Sequence, residues 1–198
     1  MPNSEKKIKK SPVVSIFEWV EVFCMALFVV VLLFTFVCRL VTVDGQSMEN
    51  TFHHGDRVII SDLLYTPKCG DVVIVQDAAS EDFPQPIIKR VIATEGETVD
   101  IDPYSWTVTV TDAEGNSKVL DETYVNRVDE PMSIAYNTFL YKNAVTSYPY
   151  TVPEGCVFVM GDNRNNSLDS RYLGAIDERT ILGKAYMRIL PRPTVNFK

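Results

Sequence analysis

Residues 22–38 form the longest apolar stretch of the chain and carry no charged side chain. Apolar residues extend the stretch back to residue 16, and they would cover all faces of a helix. Crossing the hydrocarbon core of a bilayer takes about 20 such residues, so the pattern predicts a transmembrane anchor over residues 16–38. A cleaved targeting segment would end in small residues. Bulky side chains and a charge follow here, at Phe36-Val37-Cys38-Arg39-Leu40, which favours an uncleaved anchor over a cleaved segment or a buried core helix.

Beyond residue 38 the pattern changes to short β-branched runs that follow turn signals. Gly-Asp pairs at 55–56 and 70–71 each precede such a run, which is typical of strands. Residues 106–111 alternate large apolar side chains with threonine, as in a half-buried strand. No long window in this part has a helical period. Strands are predicted at residues 40–43, 57–60, 72–75, 87–93, 106–111, 118–120, 155–160 and 181–190.

Residues 121–153 are polar and rich in tyrosine, without a clear period, and this pattern predicts loops and short strands of an inserted lobe. The predicted fold class is therefore mainly β, with one N-terminal transmembrane helix followed by a β-rich core that carries a smaller inserted β lobe. The expected organisation is a basic tail at residues 1–15, the anchor at 16–38 and a domain at 40–198. The inserted lobe is expected at about residues 102–150.

The charge of the chain is distributed unevenly. The net charge is -7 and the pI is about 4.9, which argues against nucleic-acid binding, because phosphate contacts need a basic surface. Lys6, Lys7, Lys9 and Lys10 lie in the short tail before the anchor, whereas the domain after it is acidic. The positive-inside rule then predicts a cytoplasmic N-terminus and an extracytoplasmic domain.

Four cysteines are present, and their spacing suits no zinc site. Cys24 and Cys38 belong to the apolar stretch, where thiols behave as small apolar groups. Cys69 and Cys156 are the one pair that could form a disulfide outside the anchor, and the sequence leaves that pairing open.

Ser47 and Lys89 are the candidate reactive pair. Ser47 follows a predicted strand, but a serine is a weak nucleophile without a base, and a simple turn serine is the alternative. Lys89 shares one strand face with Ile87 and Val91, so its amine is expected to be desolvated. Desolvation can lower a lysine pKa by up to about 3–5 units, which would make the amine a general base near neutral pH. The alternative is a lysine whose amine extends to water from the strand edge. The neighbouring Arg90 is excluded as the base, because its guanidinium stays protonated.

A third polar stretch covers residues 161–171. Asp162 and Asp169 have Arg164 and Arg171 close by, which suggests charge-assisted pairs within a loop. The spacing lacks the regular alternation of a calcium loop, so no metal is predicted. The chain's two histidines, at positions 53 and 54, lie in a turn that is expected to point away from Ser47, which disfavours a histidine-based triad.

These three stretches, in this order and behind an anchor, resemble the bacterial type I signal peptidases, membrane-bound serine proteases that remove signal peptides from exported proteins. Gly45-Gln46-Ser47-Met48-Glu49-Asn50-Thr51-Phe52 is similar to the family's nucleophile box. Ile88-Lys89-Arg90-Val91 is similar to its lysine box, and residues 161–171 are similar to its third box. The match covers most of the chain.

The resemblance implies that Ser47 attacks the scissile carbonyl and that Lys89, held neutral, accepts its proton. It implies that Ser167 orients the lysine and that a set of charged residues holds the loops, namely Arg90, Asp162, Arg164, Asp169 and Arg171. It also implies small apolar pockets for alanine-like side chains at the first and third positions before the cut. The residues expected to line those pockets are Val41, Val43, Met48, Phe52, Ile87 and Ile88.

Several positions depart from the family pattern. Asn50 stands in place of a proline, Phe52 in place of a leucine and Asn165 in place of an aspartate. Gly45 replaces a serine that donates a second hydrogen bond to the oxyanion in some members, which leaves the backbone N–H of Ser47 to act with another donor. Losing one such donor typically costs about 2.7–4 kcal/mol of transition-state stabilisation.

The expected function is thus cleavage of signal peptides after Ala-x-Ala-like sites by a Ser/Lys dyad at the outer face of the plasma membrane. Exported preproteins and the lipid bilayer are the expected partners, and no metal or organic cofactor is implied. An inactive membrane-tethered binding protein of the same fold and a self-cleaving Ser/Lys peptidase remain as alternatives. The preprotein preference and the oligomeric state stay open.

Overall fold

A computed structural model describes residues 12–80, 83–127 and 143–197. Helix α1 spans Pro12–Phe36. Its window Ser15–Leu32 has a mean hydropathy of 2.2 and is long and apolar enough to cross a membrane, the one such helix in the described ranges. The chain divides between Cys38 and Arg39 into two compact units.

The second unit is built from strands that form two antiparallel sheets. The large sheet has the order β1-β2-β11-β3-β4-β9-β10, and the small sheet has the order β7-β6-β5-β8. A four-residue helix, α2, and a 3-10 turn at Glu178–Thr180 lie between strands of the large sheet. The bounds are β1 Arg39–Thr42, β2 Arg57–Ser61, β3 Val72–Val75, β4 Ile87–Ala93, β5 Thr98–Ile101, β6 Val108–Thr111, β7 Ser117–Val119, β8 Tyr150–Thr151, β9 Cys156–Met160, α2 Ser170–Leu173, β10 Ile176–Asp177 and β11 Ile181–Leu190.

The predicted fold class, mainly β behind an N-terminal apolar helix, is confirmed. The predicted strands at 72–75, 87–93 and 181–190 coincide with β3, β4 and β11. The sequence pattern does not predict β5 and β10: β5, Thr98–Ile101, is not a continuous β-branched run, and β10 has only two residues. Trp106 lies outside β6, since its φ of 61° is incompatible with an extended strand.

Part of the sequence prediction for residues 121–153 falls on residues 128–142, which lie outside the described residues. Strand β8 belongs to the remainder and pairs with β5. All four cysteines of the chain are free, Cys69 is exposed and Cys156 is partly buried.

Strand β4 lies between β3 and β9, and every residue from Ile88 to Ala93 on it is buried. Three apolar clusters meet there, since Ile88, Val91 and Ile92 each belong to a different one. The small sheet contributes to the cluster that contains Ile92. Because apolar side chains cover both faces of β4, the polar side chains on this strand are shielded from water as well.

Strand β11 pairs with β2 on one side and with β3 on the other. Its register shifts at Gly183, whose φ is 152°. A Cβ at Gly183 would lie 2.8 Å from the backbone carbonyl oxygen of Ser61 on β2. Glycine is therefore required for the close approach that joins the two halves of the large sheet.

Candidate active site

The geometry brings Ser47 and Lys89 together although they are 42 positions apart in the chain. Ser47 lies in the turn that follows β1, after Gly45, whose φ of 90° favours glycine. Lys89 lies on β4, directly opposite Val73 of β3. Lys89 Nζ lies 2.7 Å from Ser47 Oγ and also donates a hydrogen bond to the carbonyl of Ile88 at 3.0 Å.

Burial controls the charge state of the Lys89 amine. The residue is 2% exposed. Desolvation lowers the pKa of Lys89 from 10.5 to about 8, with the nearby carboxylates of Asp169 and Asp162 acting in the opposite direction and Arg171 adding to the decrease. An amine with this pKa is partly neutral near pH 7, and a neutral amine can accept the proton of a hydroxyl 2.7 Å away. The arrangement is therefore able to generate a serine nucleophile.

The loop after β9 holds the backbone on both sides of Ser47. Asn163 N donates to Ser47 O at 3.0 Å, and Asn163 Nδ2 donates to Gln46 O at 3.1 Å. The loop approaches very closely, because a Cβ at Gly161 would lie 2.5 Å from Ser47 O and 2.2 Å from Ser167 Oγ. Glycine at position 161 therefore allows the polar stretch 161–171 to pack against the turn after β1 that carries Ser47, the nucleophile turn.

Asp162 and Arg90 form a fully buried ion pair beside this turn. Arg90 Nε donates to Asp162 Oδ1 at 2.8 Å and Arg90 Nη2 donates to Asp162 Oδ2 at 2.7 Å, and the two side chains are 2% and 0% exposed. Arg90 also donates to the carbonyls of Gly70 and Phe197 and lies over the ring of Tyr124, with its Cζ 3.8 Å from the centroid. These contacts occupy the hydrogen-bond donors of the Arg90 guanidinium, and they compensate for the free-energy cost of removing both charges from water.

The expected pairing of Asp162 with Arg164 is wrong. Arg164 instead forms a bidentate pair with Glu122, which lies 42 positions away in the chain. The reason is the register of the large sheet, where Arg90 on β4 is opposite Met160 on β9, close to Asp162. Sequence proximity suggested Arg164 as the partner of Asp162, whereas the pairing of β4 with β9 places the distant Arg90 beside it.

The expected pairing of Asp169 with Arg171 is present. Arg171 Nε and Nη2 donate to the two carboxylate oxygens of Asp169, each at 2.8 Å. Burial alone would raise the pKa of Asp169, but the charge and hydrogen bonds of Arg171 outweigh it and hold that pKa below the usual 3.8. Asp169 also accepts from Gly161 N at 2.9 Å and caps helix α2, which fixes the shape of the loop.

Ser167 lies close to this carboxylate. Its Oγ is buried, and no hydrogen-bond partner for it is found in the part of the chain that the structure describes. The contact by which Ser167 would orient the Lys89 amine is therefore absent among the described residues. The Lys89 amine instead donates to Ser47 and to the carbonyl of Ile88.

A small groove is lined by residues of β1 and β4 and by their neighbours. Four of the six predicted pocket residues line it, namely Val41, Val43, Ile87 and Ile88. Met48 and Phe52 are 1% and 0% exposed and belong to the apolar cluster that also contains Val43 and Ile88. Strand β1 lies at the edge of the large sheet, so no strand of the described ranges pairs with one side of its backbone.

The histidines are exposed and lie outside the reactive pair. His54 Nδ1 lies 3.0 Å from Asp44 Oδ1, with 70% of the histidine side chain exposed. Local sequence patterns do not indicate the contacts of several residues that the structure brings to the site, because their partners are remote in the chain. These are Thr51, Glu122, Tyr124, Asn163 and Phe197. Among the described residues no group of three or more His, Cys, Asp or Glu side chains could hold a metal ion.

Known proteins of one family are similar to this chain. The family model described as signal peptidase, peptidase S26, matches residues 16–190. A probable signal peptidase I-2 from Synechocystis sp. is 33% identical over 167 residues, which cover 81% of this chain and 67% of that protein. Signal peptidase IB from Staphylococcus aureus is 31% identical over 183 residues, 89% of this chain and 90% of that protein. A crystal structure of a signal peptidase I from Enterococcus faecalis is 26% identical and covers 61% of this chain and 97% of that one, with a TM-score of 0.38. On the family match and the two sequence relatives, the chain belongs to the signal peptidase family, peptidase S26.

Proposed function

We propose that this protein is a Ser/Lys serine endopeptidase that removes signal peptides from exported preproteins. Its family cleaves signal peptides, and the chain is accordingly a peptidase of that kind. The observation that supports the dyad is the 2.7 Å contact between Lys89 Nζ and Ser47 Oγ in a setting that lowers the pKa of the amine to about 8. No observation favours an inactive binding protein or a self-cleaving peptidase.

The proposed reaction begins with the neutral amine of Lys89. Ser47 Oγ attacks the scissile carbonyl carbon while its proton passes to Lys89 Nζ, and the backbone N–H of Ser47 donates to the oxyanion. Collapse of the tetrahedral intermediate breaks the C–N bond, and the Lys89 ammonium returns the proton to the leaving amine. Water then attacks the acyl-enzyme with Lys89 again as the base, which releases the signal peptide and regenerates the Ser47 hydroxyl.

The groove suggests how a substrate is held. An extended preprotein segment would add to the free edge of β1 by main-chain hydrogen bonds. Its small side chains before the cut would enter between Val41 and Val43 on one side and Ile87 and Ile88 on the other. Met48 and Phe52 would support these pockets from the buried layer, so that Ala-x-Ala-like sites fit and larger residues do not.

The remaining predicted site residues support the dyad indirectly. The buried charged residues would fix the position of the loop after β9 relative to the nucleophile turn. They would do so through the pairs Arg90–Asp162, Arg164–Glu122 and Arg171–Asp169.

The proposed arrangement of the chain follows from its apolar helix and charge. Residues 1–15 form a cytoplasmic tail, residues 16–38 a single membrane span and residues 40–198 an extracytoplasmic catalytic domain, with the smaller lobe at about 102–150. The apolar window Ser15–Leu32 and the lysines that precede it support this topology. An anchored enzyme would meet the apolar region of its substrate in the same bilayer.

The test is cleavage of a preprotein with an Ala-x-Ala site by the full chain in detergent or vesicles. Wild type is expected to cut after the second alanine, and Ser47→Ala and Lys89→Ala are expected to be inactive although folded. Cleavage that survives both substitutions would exclude the dyad. Failure of folded wild type to cut any such preprotein would instead support a binding role.

A further inference from the structure

Thr51 connects the nucleophile turn to the buried ion pair. It lies four positions after Ser47, and its hydroxyl donates to Asp162 Oδ2. The same carboxylate oxygen accepts Arg90 Nη2 at 2.7 Å. Arg90 directly follows Lys89 on β4, so a single carboxylate links the loop that carries the serine to the strand that carries the lysine.

The carboxylate of Asp162 is well suited to fix this geometry. It is 0% exposed, and both of its oxygens accept from Arg90 in a bidentate pair, which sets its plane. A buried charge-assisted hydrogen bond to a carboxylate held in this way has little freedom of direction. The position of the Thr51 hydroxyl is therefore determined by β4 and the loop after β9 rather than by the turn alone.

The backbone of Thr51 is held separately. Its carbonyl accepts from Arg188 Nη1 at 3.0 Å, and the same Nη1 lies 3.1 Å from Asp56 Oδ2. Asp162 in the loop after β9 and Arg188 on β11 thus hold Thr51 from two sides, the first through the hydroxyl and the second through the carbonyl. Removing the hydroxyl alone leaves the second attachment in place, so the turn should stay folded.

We propose that Thr51 is a positioning residue that sets the distance between Ser47 Oγ and Lys89 Nζ through Asp162. This inference rests on the proposed Ser/Lys mechanism and adds a residue that does not touch the substrate. A misplacement of about 1 Å in a reacting group can cost on the order of 100-fold in rate. Loss of the hydroxyl should therefore lower kcat while leaving the groove, and hence KM, unchanged.

The experiment compares Thr51→Val with Thr51→Ser in the full chain, with kcat and KM for preprotein cleavage and the melting temperature measured for each. Thr51→Val should lower kcat by about 10- to 100-fold with KM within about twofold, and Thr51→Ser should restore kcat to within about threefold of wild type. Thr98→Val is the matched control, because it also removes a threonine hydrogen bond, the 3.0 Å contact with Thr151 in the small sheet. Its kcat should equal that of wild type.

Three results would overturn the proposal. These are a wild-type kcat for Thr51→Val, equal losses for the valine and serine variants, or a fall in kcat that the unfolded fraction fully explains. Thr51→Ala is a second hydroxyl-free variant, and unfolding of both would show that the hydroxyl serves stability alone. Ser47→Ala is assayed in parallel. If it is inactive while Thr51→Val is normal, only the role of Thr51 fails, whereas an active Ser47→Ala would remove the mechanism itself.

Discussion

Lys89 and Lys184 stand opposite the same residue, Val73, on the two neighbours of β3, yet their surroundings differ. Lys184 Nζ lies 2.5 Å from Asp71 Oδ1, near the rings of Tyr65 and Tyr186, and 31% of its side chain is exposed. Lys89 is 2% exposed and faces a serine hydroxyl and a backbone carbonyl.

This difference shows which surroundings allow a lysine on a strand to act as a base. A carboxylate in contact stabilises the ammonium, and partial exposure keeps it hydrated, so Lys184 is suited to a structural ion pair. Lys89 has lost its hydration and gains neutral hydrogen-bond partners, while the two nearby carboxylates, Asp162 and Asp169, are each paired with an arginine. Desolvation therefore dominates, and the pKa of Lys89 falls to about 8.

The largest expected effect separates the two lysines by activity. Lys89→Arg should reduce cleavage by at least about 1,000-fold, because a guanidinium stays protonated and cannot accept the proton of Ser47. Lys184→Arg should leave kcat within about twofold, since it keeps the ion pair with Asp71. Single-turnover cleavage of a preprotein by both folded variants is the measurement. Comparable losses in the two variants would mean that Lys89 is not a base.

The next effect is on the pH dependence. The pKa of Lys89 is lowered to about 8, so the neutral amine predominates above that pH and declines about tenfold per unit below it. The value of kcat/KM should therefore rise about 50-fold from pH 6 to pH 8 and then level off. Lys184→Arg should show the same profile. A rate that stays flat from pH 5 to pH 9 would contradict the assignment.

The smallest effect concerns the free energy of unfolding, which substitutions of the two lysines should change in opposite directions. The pKa of Lys89 is lower in the folded protein than in the unfolded chain, so its protonation destabilises the fold. This destabilisation is complete below about pH 8 and disappears as the pH rises towards 10.5. Lys89→Met should thus raise the free energy of unfolding at pH 7 by about 1–3 kcal/mol, at the expense of activity. Lys184→Met should lower it by about 1 kcal/mol, because Asp71 loses its cationic partner and keeps only the hydrogen bond from Tyr65 among those the structure describes.

Denaturant unfolding of the wild type and both methionine variants at pH 7 and pH 10 gives these values. The gain from Lys89→Met should shrink at the higher pH. A loss of stability for this variant at pH 7, as large as that for Lys184→Met, would show that the Lys89 ammonium is well accommodated in the fold.

The predictability of the site varies from residue to residue. The apolar surroundings of Lys89 are visible in the sequence, since its strand neighbours are Ile87, Ile88 and Val91, and β4 has the predicted bounds. Its approach to Ser47, 42 positions away, was expected from the family resemblance. The partner of Asp162 could not be predicted from local spacing, because Arg90 is 72 positions away and Thr51 is 111 positions away.

The sequence by itself determined the elements that depend on local patterns. The continuous apolar stretch specified a helix, and β-branched runs between glycine turns specified strands, because backbone preference and side-chain period act over a few residues. The Asp169–Arg171 pair was visible in the local spacing, but only the tertiary structure decided the partners of Asp162 and Arg164. The pairing of β3, β4 and β9 sets the partners of Arg90 and Asp162, and the meeting of three apolar clusters at β4 sets how far Lys89 is removed from water. Both depend on contacts between remote segments, which no local pattern encodes.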